Sequence, residues 1–127
     1  MIVLIAGPMS EGWLADNLNR ATRAFVSLIK QGHTPLCPHL GAYSGVCTAY
    51  NERTHLVQCV GSVTGDEELT YGDWQRMDAD LLLLADCVLR LSGESLSADQ
   101  LTTLAHQRKI PVFGSVEEIM SHTPRQR

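Results

Sequence analysis

The sequence predicts a single α/β domain, Rossmann-like (flavodoxin-like), with three layers around a mainly parallel sheet of four or five strands. Three observations predict it. Short, mostly apolar runs such as Ile2–Ala6 and Cys87–Leu91 lack polar alternation, as in strands covered on both faces. Longer segments between them carry apolar residues at helical spacing. The two patterns alternate along the chain, which calls for crossover connections and parallel pairing. With 127 residues, 44% hydrophobic and 19% charged, the chain has material for one core. The domain is expected to occupy 1–120, with 121–127 as a flexible tail ending in Arg125-Gln126-Arg127.

The elements follow in order. Ile2–Ala6 reads as a buried strand rather than a signal peptide, having no basic flank, and Gly7-Pro8 ends it. Leu14, Leu18, Ala21, Phe25, Leu28 and Ile29 mark the apolar face of a helix closed by Gly32. His33–Pro38 is a second, proline-interrupted strand. From 39 to 72 the pattern dissolves into Gly, Ser, Thr and Tyr, which reads as a functional loop or lid. Asp73 is placed to cap a helix reaching Ala85, with Trp74, Met77, Leu81 and Leu84 on one face. Cys87–Leu91 is the third strand. Ser97-Ala98-Asp99-Gln100 reads as a capping box opening a helix to Gln107. Ile110–Phe113 is the fourth strand, and Ser115-Val116-Glu117-Glu118 caps a short last helix.

Composition narrows the partners. Ten Lys and Arg against fourteen Asp and Glu give a net charge of −4, which disfavours a duplex phosphate backbone and hence nucleic acid. No apolar run, Leu81–Ala85 included, approaches the roughly 20 residues that cross a bilayer, so no membrane partner is expected. A small molecule is the expected ligand. Cys37, Cys47, Cys59 and Cys87 lack CxxC spacing, which fits a reduced, cytoplasmic protein. His33, Cys37, His39, Cys47, His55 and Cys59 form a local cluster, but Cys37-x-His39 is too tight for common zinc patterns, and no metal or cofactor is expected.

In parallel sheets ligands sit beyond the carboxyl ends of the strands, where strand order switches. That rule gathers Gly7 to Gly12, Pro38 to His39 and Ser92 to Ala98 around one crevice. Gly7, Pro8, Met9 and Ser10 lead into a helix, so their backbone could hold an anion or simply make a tight turn. Neither GxGxxG nor GxxxxGK[ST] is present. Arg20 could reach a phosphate or lie in solvent. His39 could polarise a substrate or be structural, and Tyr71 and Trp74 could stack on a base or cover the crevice. A hydrolase triad through His106 lacks its G-x-S-x-G elbow.

Several motifs in order resemble the nucleoside 2-deoxyribosyltransferase-like superfamily, and its small bacterial and phage members in particular. They are Ile5-Ala6-Gly7-Pro8-Met9, Asn19 with Ala24-Phe25, Gly32-His33 with Pro38, Asp78 followed by Asp86, and Ser92-Gly93-Glu94-Ser95-x-Ser97-Ala98 before a helix. The resemblance spans the chain apart from the 40–70 stretch. It implies a domain that binds a nucleoside or nucleotide and acts at the N-glycosidic bond, with crevice residues Gly7, Pro8, Met9, Ser92, Gly93 and Ser95 against the ligand. It also implies a homo-oligomer, and a role for Asp78 in holding the reacting groups or donating a proton.

The sequence departs from the family at one position. The pattern Ser-x-Gly-Ala-x-x-Glu stands here as Ser95-Leu96-Ser97-Ala98-Asp99-Gln100-Leu101, so leucine replaces the nucleophilic glutamate. Leucine cannot attack C1′, and ordinary double displacement, which needs a nucleophile and a second acid, is lost. Glu94 and Asp99 are the two acids that could substitute; equally, Asp99 could complement a helix N-terminus and Glu94 could be a solvated loop charge. A catalytically inactive nucleotide-binding or sensing module, or an oligomeric structural protein, is the alternative expectation.

Overall fold

Val3, Leu4 and Ile5 of Ile2–Ala6 (β1) are buried on both sides, Val3 and Leu4 completely, so the strand runs through the middle of the molecule. The computed structural model describes residues 1–8, 14–38, 49–51, 56–58 and 71–122. The remaining elements are α1 (Leu14–Lys30), β2 (Thr34–Leu36), β3 (Ala49–Asn51), β4 (Leu56–Gln58), α2 (Tyr71–Leu84), β5 (Cys87–Arg90), α3 (Leu96–Gln107), β6 (Val112–Phe113) and α4 (Val116–His122). Four strands form an all-parallel sheet in the order β2-β1-β5-β6. This α/β arrangement, with four helices among the described residues, is compatible with a Rossmann-like fold. β1 sends its first crossover to β2 on one side while β5 lies on the other, so the strand order switches between β1 and β5.

Alternate strand residues feed two apolar clusters. Val3, Ile5, Cys87 and Leu89 pack with Ala24 and Leu28 of α1 and Ile119 of α4. Leu4, Ala6 and Val88 pack with Leu82 of α2 and Ala98, Leu101 and Ala105 of α3. Each fully buried leucine or isoleucine contributes about 1.5–3 kcal/mol of burial. Asp86 ties the strand starts together: its carboxylate Oδ2 accepts the Ile2 amide at 2.7 Å, and its own amide donates to the Ile2 carbonyl at 2.8 Å.

Helix ends follow local chemistry. Gly32, at φ +87°, closes α1: its amide bonds the Ile29 carbonyl and the His33 amide bonds Leu28, a Schellman ending. Ser115 Oγ accepts the Glu118 amide at 3.1 Å, as its capping pattern predicts, although Glu118 reaches back to the Gly114 amide. α4 continues to His122, two residues beyond the expected domain end, and its last ring tilts against Phe113 at 5.2 Å.

Several expectations are corrected. The 39–72 stretch is not wholly irregular, because β3 and β4 form an antiparallel pair and α2 already begins at Tyr71. Three-residue strands are too short to show alternation. Asp73 therefore sits inside the first turn of α2 instead of capping it. The buried face of α2 carries Leu82, fully enclosed, whereas Leu84 is 64% exposed. Ile29 on α1 is likewise exposed, and the buried stripe there runs Asn17, Ala21, Ala24, Leu28. The cap of α3 is Ser95 in place of Ser97: Ser95 is extended, and its Oγ accepts the Ala98 amide at 3.2 Å.

Candidate functional site

The carboxyl ends of β1 and β5 meet where the Leu91 amide donates to the Ala6 carbonyl at 2.8 Å. A Cβ on Gly7 would lie 2.9 Å from Leu91 Cβ, so only glycine lets the two chains close here. Gly93 has φ +119°, and a Cβ on it would lie 2.7 Å from Pro8 Cγ. Gly7, Pro8 and Gly93 thus join the β1 and β5 ends into one floor.

Two arginines hold the turn that follows β5. From α1, Arg20 Nη1 donates to the Ser92 carbonyl at 2.8 Å and to Ser92 Oγ at 3.1 Å, while Nη2 reaches Asn17 Oδ1 at 3.4 Å. Arg90 Nη1 donates to the Leu91 carbonyl, and its Nη2 donates to the Gly93 carbonyl and to Asp99 Oδ1, both at 2.9 Å. The Arg90 side chain is 17% exposed and Asp99 68%, so this pair is half screened by water and acts chiefly by fixing geometry. Ser92, Gly93 and Glu94 lie exposed on the turn, and Ser95 is buried as the cap of α3.

Asp78 occupies a different position. It stands one helical turn before Leu82 on α2, so the face that buries the leucine also draws the carboxyl inward. Its Oδ1 is sealed from water and has no hydrogen-bond partner among the described residues. Burial raises its pKa to about 6, so a proton can leave or arrive near neutral pH. Two adjoining hollows share Asp78, Ser97 and Leu101. One, of about 20 Å³ of water-accessible volume, reaches over Gly7 and Ala6 to Pro38. The other, of about 120 Å³, lies between α2 and α3 and is also lined by Gln75, Ala79, Gln100 and Leu104.

The predicted residues therefore divide. Gly7 and Asp78 line one hollow together, while Gly93 packs against Pro8, the residue after Gly7. Ser92 and Asp99 belong to the arginine-held turn, and neither Glu94 nor Asp99 lines either hollow. Leu101, 6% exposed, fills the place beside Asp78 as part of the core. Among the described residues Asp78 is the sole carboxylate lining the two hollows. Met9, Ser10 and His39 lie outside the described residues, as do the side chains of Tyr71 and Trp74 and, of the histidine–cysteine cluster, His39, Cys47, His55 and Cys59. No group of three metal-ligating side chains forms among the described residues. Sequence reasoning missed Gln75 and Arg90, whose roles arise only when separate elements pack; Ser97 was legible as part of the crevice segment and as a cap, and Gln100 only as part of that capping box.

Comparison with protein families, curated proteins and solved structures finds no match to this chain. Among the described residues no helix is long and apolar enough to cross a membrane.

Proposed function

We propose that this chain is a three-layer Rossmann-like domain of the nucleoside 2-deoxyribosyltransferase type that binds a nucleoside or nucleotide without ordinary double displacement. The observation that carries the reading is Asp78: a carboxyl oxygen buried without a partner, beside a leucine where the resembled enzymes carry their nucleophile. Unpartnered buried oxygens are rare, and this one belongs to a side chain that lines both hollows, which supports a role for the carboxyl in the site. The three-layer arrangement is supported by the two apolar clusters fed from alternate residues of β1 and β5. On this reading the protein binds a small molecule in the cytoplasm, where the buried thiol of Cys87 would stay reduced, and it assembles as a homo-oligomer.

The test is incubation of pure protein with nucleosides and nucleoside monophosphates, following thermal stabilisation and, by chromatography, released base. Stabilisation by one class of ligand without base release is expected, reduced in Asp78→Ala. Base release that disappears in Asp78→Ala would overturn the binding-only reading. Absence of both signals would overturn the nucleoside reading itself.

A further inference from the structure

Resting on that reading, we propose that the groove between α2 and α3 takes the planar nitrogen heterocycle of the ligand, and that Gln75 selects among heterocycles. Size separates the two hollows first. The space over Gly7, about 20 Å³, holds little more than a water, whereas the groove offers about 120 Å³. That is close to the roughly 150 Å³ in which an apolar cavity accepts a benzene ring.

The lining has the chemistry a flat ring needs. Ala79, Leu101 and Leu104 supply apolar surface for its faces. At the rim, Gln75 Nε2 donates to Gln100 Oε1 at 2.6 Å, so two helices hold one amide in a defined plane. This leaves Gln75 an acceptor oxygen and a second N–H, able to meet the donor and acceptor groups of an amide-like or amidine-like ring edge. No Lys or Arg lines the groove among the described residues, and Asp78 does, which disfavours a phosphate there.

Calorimetry with hypoxanthine, adenine, cytosine and uracil, and with their nucleosides, tests this on wild type, Gln75→Leu and Leu104→Trp. Leu104→Trp should fill the groove and weaken every heterocycle at least tenfold. Gln75→Leu, at an exposed position, should change the ratio of hypoxanthine to adenine affinity at least fivefold. If Leu104→Trp does not fold, as judged by circular dichroism, the Gln75→Leu ratio decides alone. Wild-type binding that both variants leave intact overturns the groove assignment while sparing the nucleoside reading. A wild type that binds no base or nucleoside overturns both.

Discussion

Asp78 and Leu101 face the same two hollows from separate helices, one with a carboxyl whose buried oxygen has no partner among the described residues and the other an apolar wall. Leu101→Glu converts the wall to a second acid. The new carboxyl would displace a side chain packed against Leu4, Leu82 and Val88, and its negative charge would stand near that of Asp78. Both effects raise its pKa. A carboxyl whose folded pKa is raised costs nothing while protonated and destabilises the fold as pH climbs above its unfolded value. The variant should therefore lose about 2–4 kcal/mol, more at pH 8 than at pH 5. Thermal melts at the two pH values check this. An equal loss at both would mean the glutamate escapes to water and the site is open.

Asp78 itself carries a pH signature. Its pKa rises from 3.8 unfolded to about 6 folded, so the folded state holds the extra proton. Stability from this group is greatest below about pH 4, falls as pH rises toward 6, and stays lower beyond. Asp78→Asn removes that dependence. Because water still reaches part of the carboxyl, the gain at pH 8 should be on the order of 1 kcal/mol, or about 4 °C in melting temperature, and should vanish near pH 4. A uniform gain at every pH would show that the aspartate is not held in a desolvated place.

How far the sequence disclosed these features depends on where the information lies. β1 and α1 were legible because Gly7-Pro8 and Gly32 mark their ends in the local chain. The phase of α2 was not, because Leu81 to Leu84 place a leucine on every side of the helix, and only packing against the sheet selects Leu82. The sequence placed the cap of α3 at Ser97, and the extended backbone at Ser95 moves it two residues earlier. Asp78 was singled out only through the family resemblance; beside Asp80 it reads as an ordinary polar helix residue, and its burial comes from sharing the face of Leu82. The engagement of Asp99 by Arg90 links a strand end to a helix start, and no spacing rule foretells it.

That engagement makes its own prediction. Arg90 contacts the turn at the Leu91 and Gly93 carbonyls as well as at Asp99, so the cation should matter more than the anion. Asp99→Asn, at an exposed position, should cost under about 1 kcal/mol. Arg90→Leu strips the carbonyls of their donor and should cost about 2–3 kcal/mol, with faster amide exchange across 91–95. Urea unfolding and hydrogen exchange read both. Equal costs would mean that the ion pair, rather than the carbonyl contacts, fixes the turn.

Gly93 joins the same turn to Pro8. A side chain there must tolerate φ +119° and place its Cβ 2.7 Å from Pro8 Cγ, in a rigid ring that cannot swing aside. Gly93→Ala should therefore cost about 2 kcal/mol, part from backbone strain and part from the collision. Pro8→Ala in the same chain relieves the collision but leaves the strain. The double variant should thus be more stable than the two single losses add up to, by roughly 0.5–1 kcal/mol in a denaturant cycle. Strict additivity would mean that the Pro8 contact adds nothing to the cost, which then rests on backbone conformation alone.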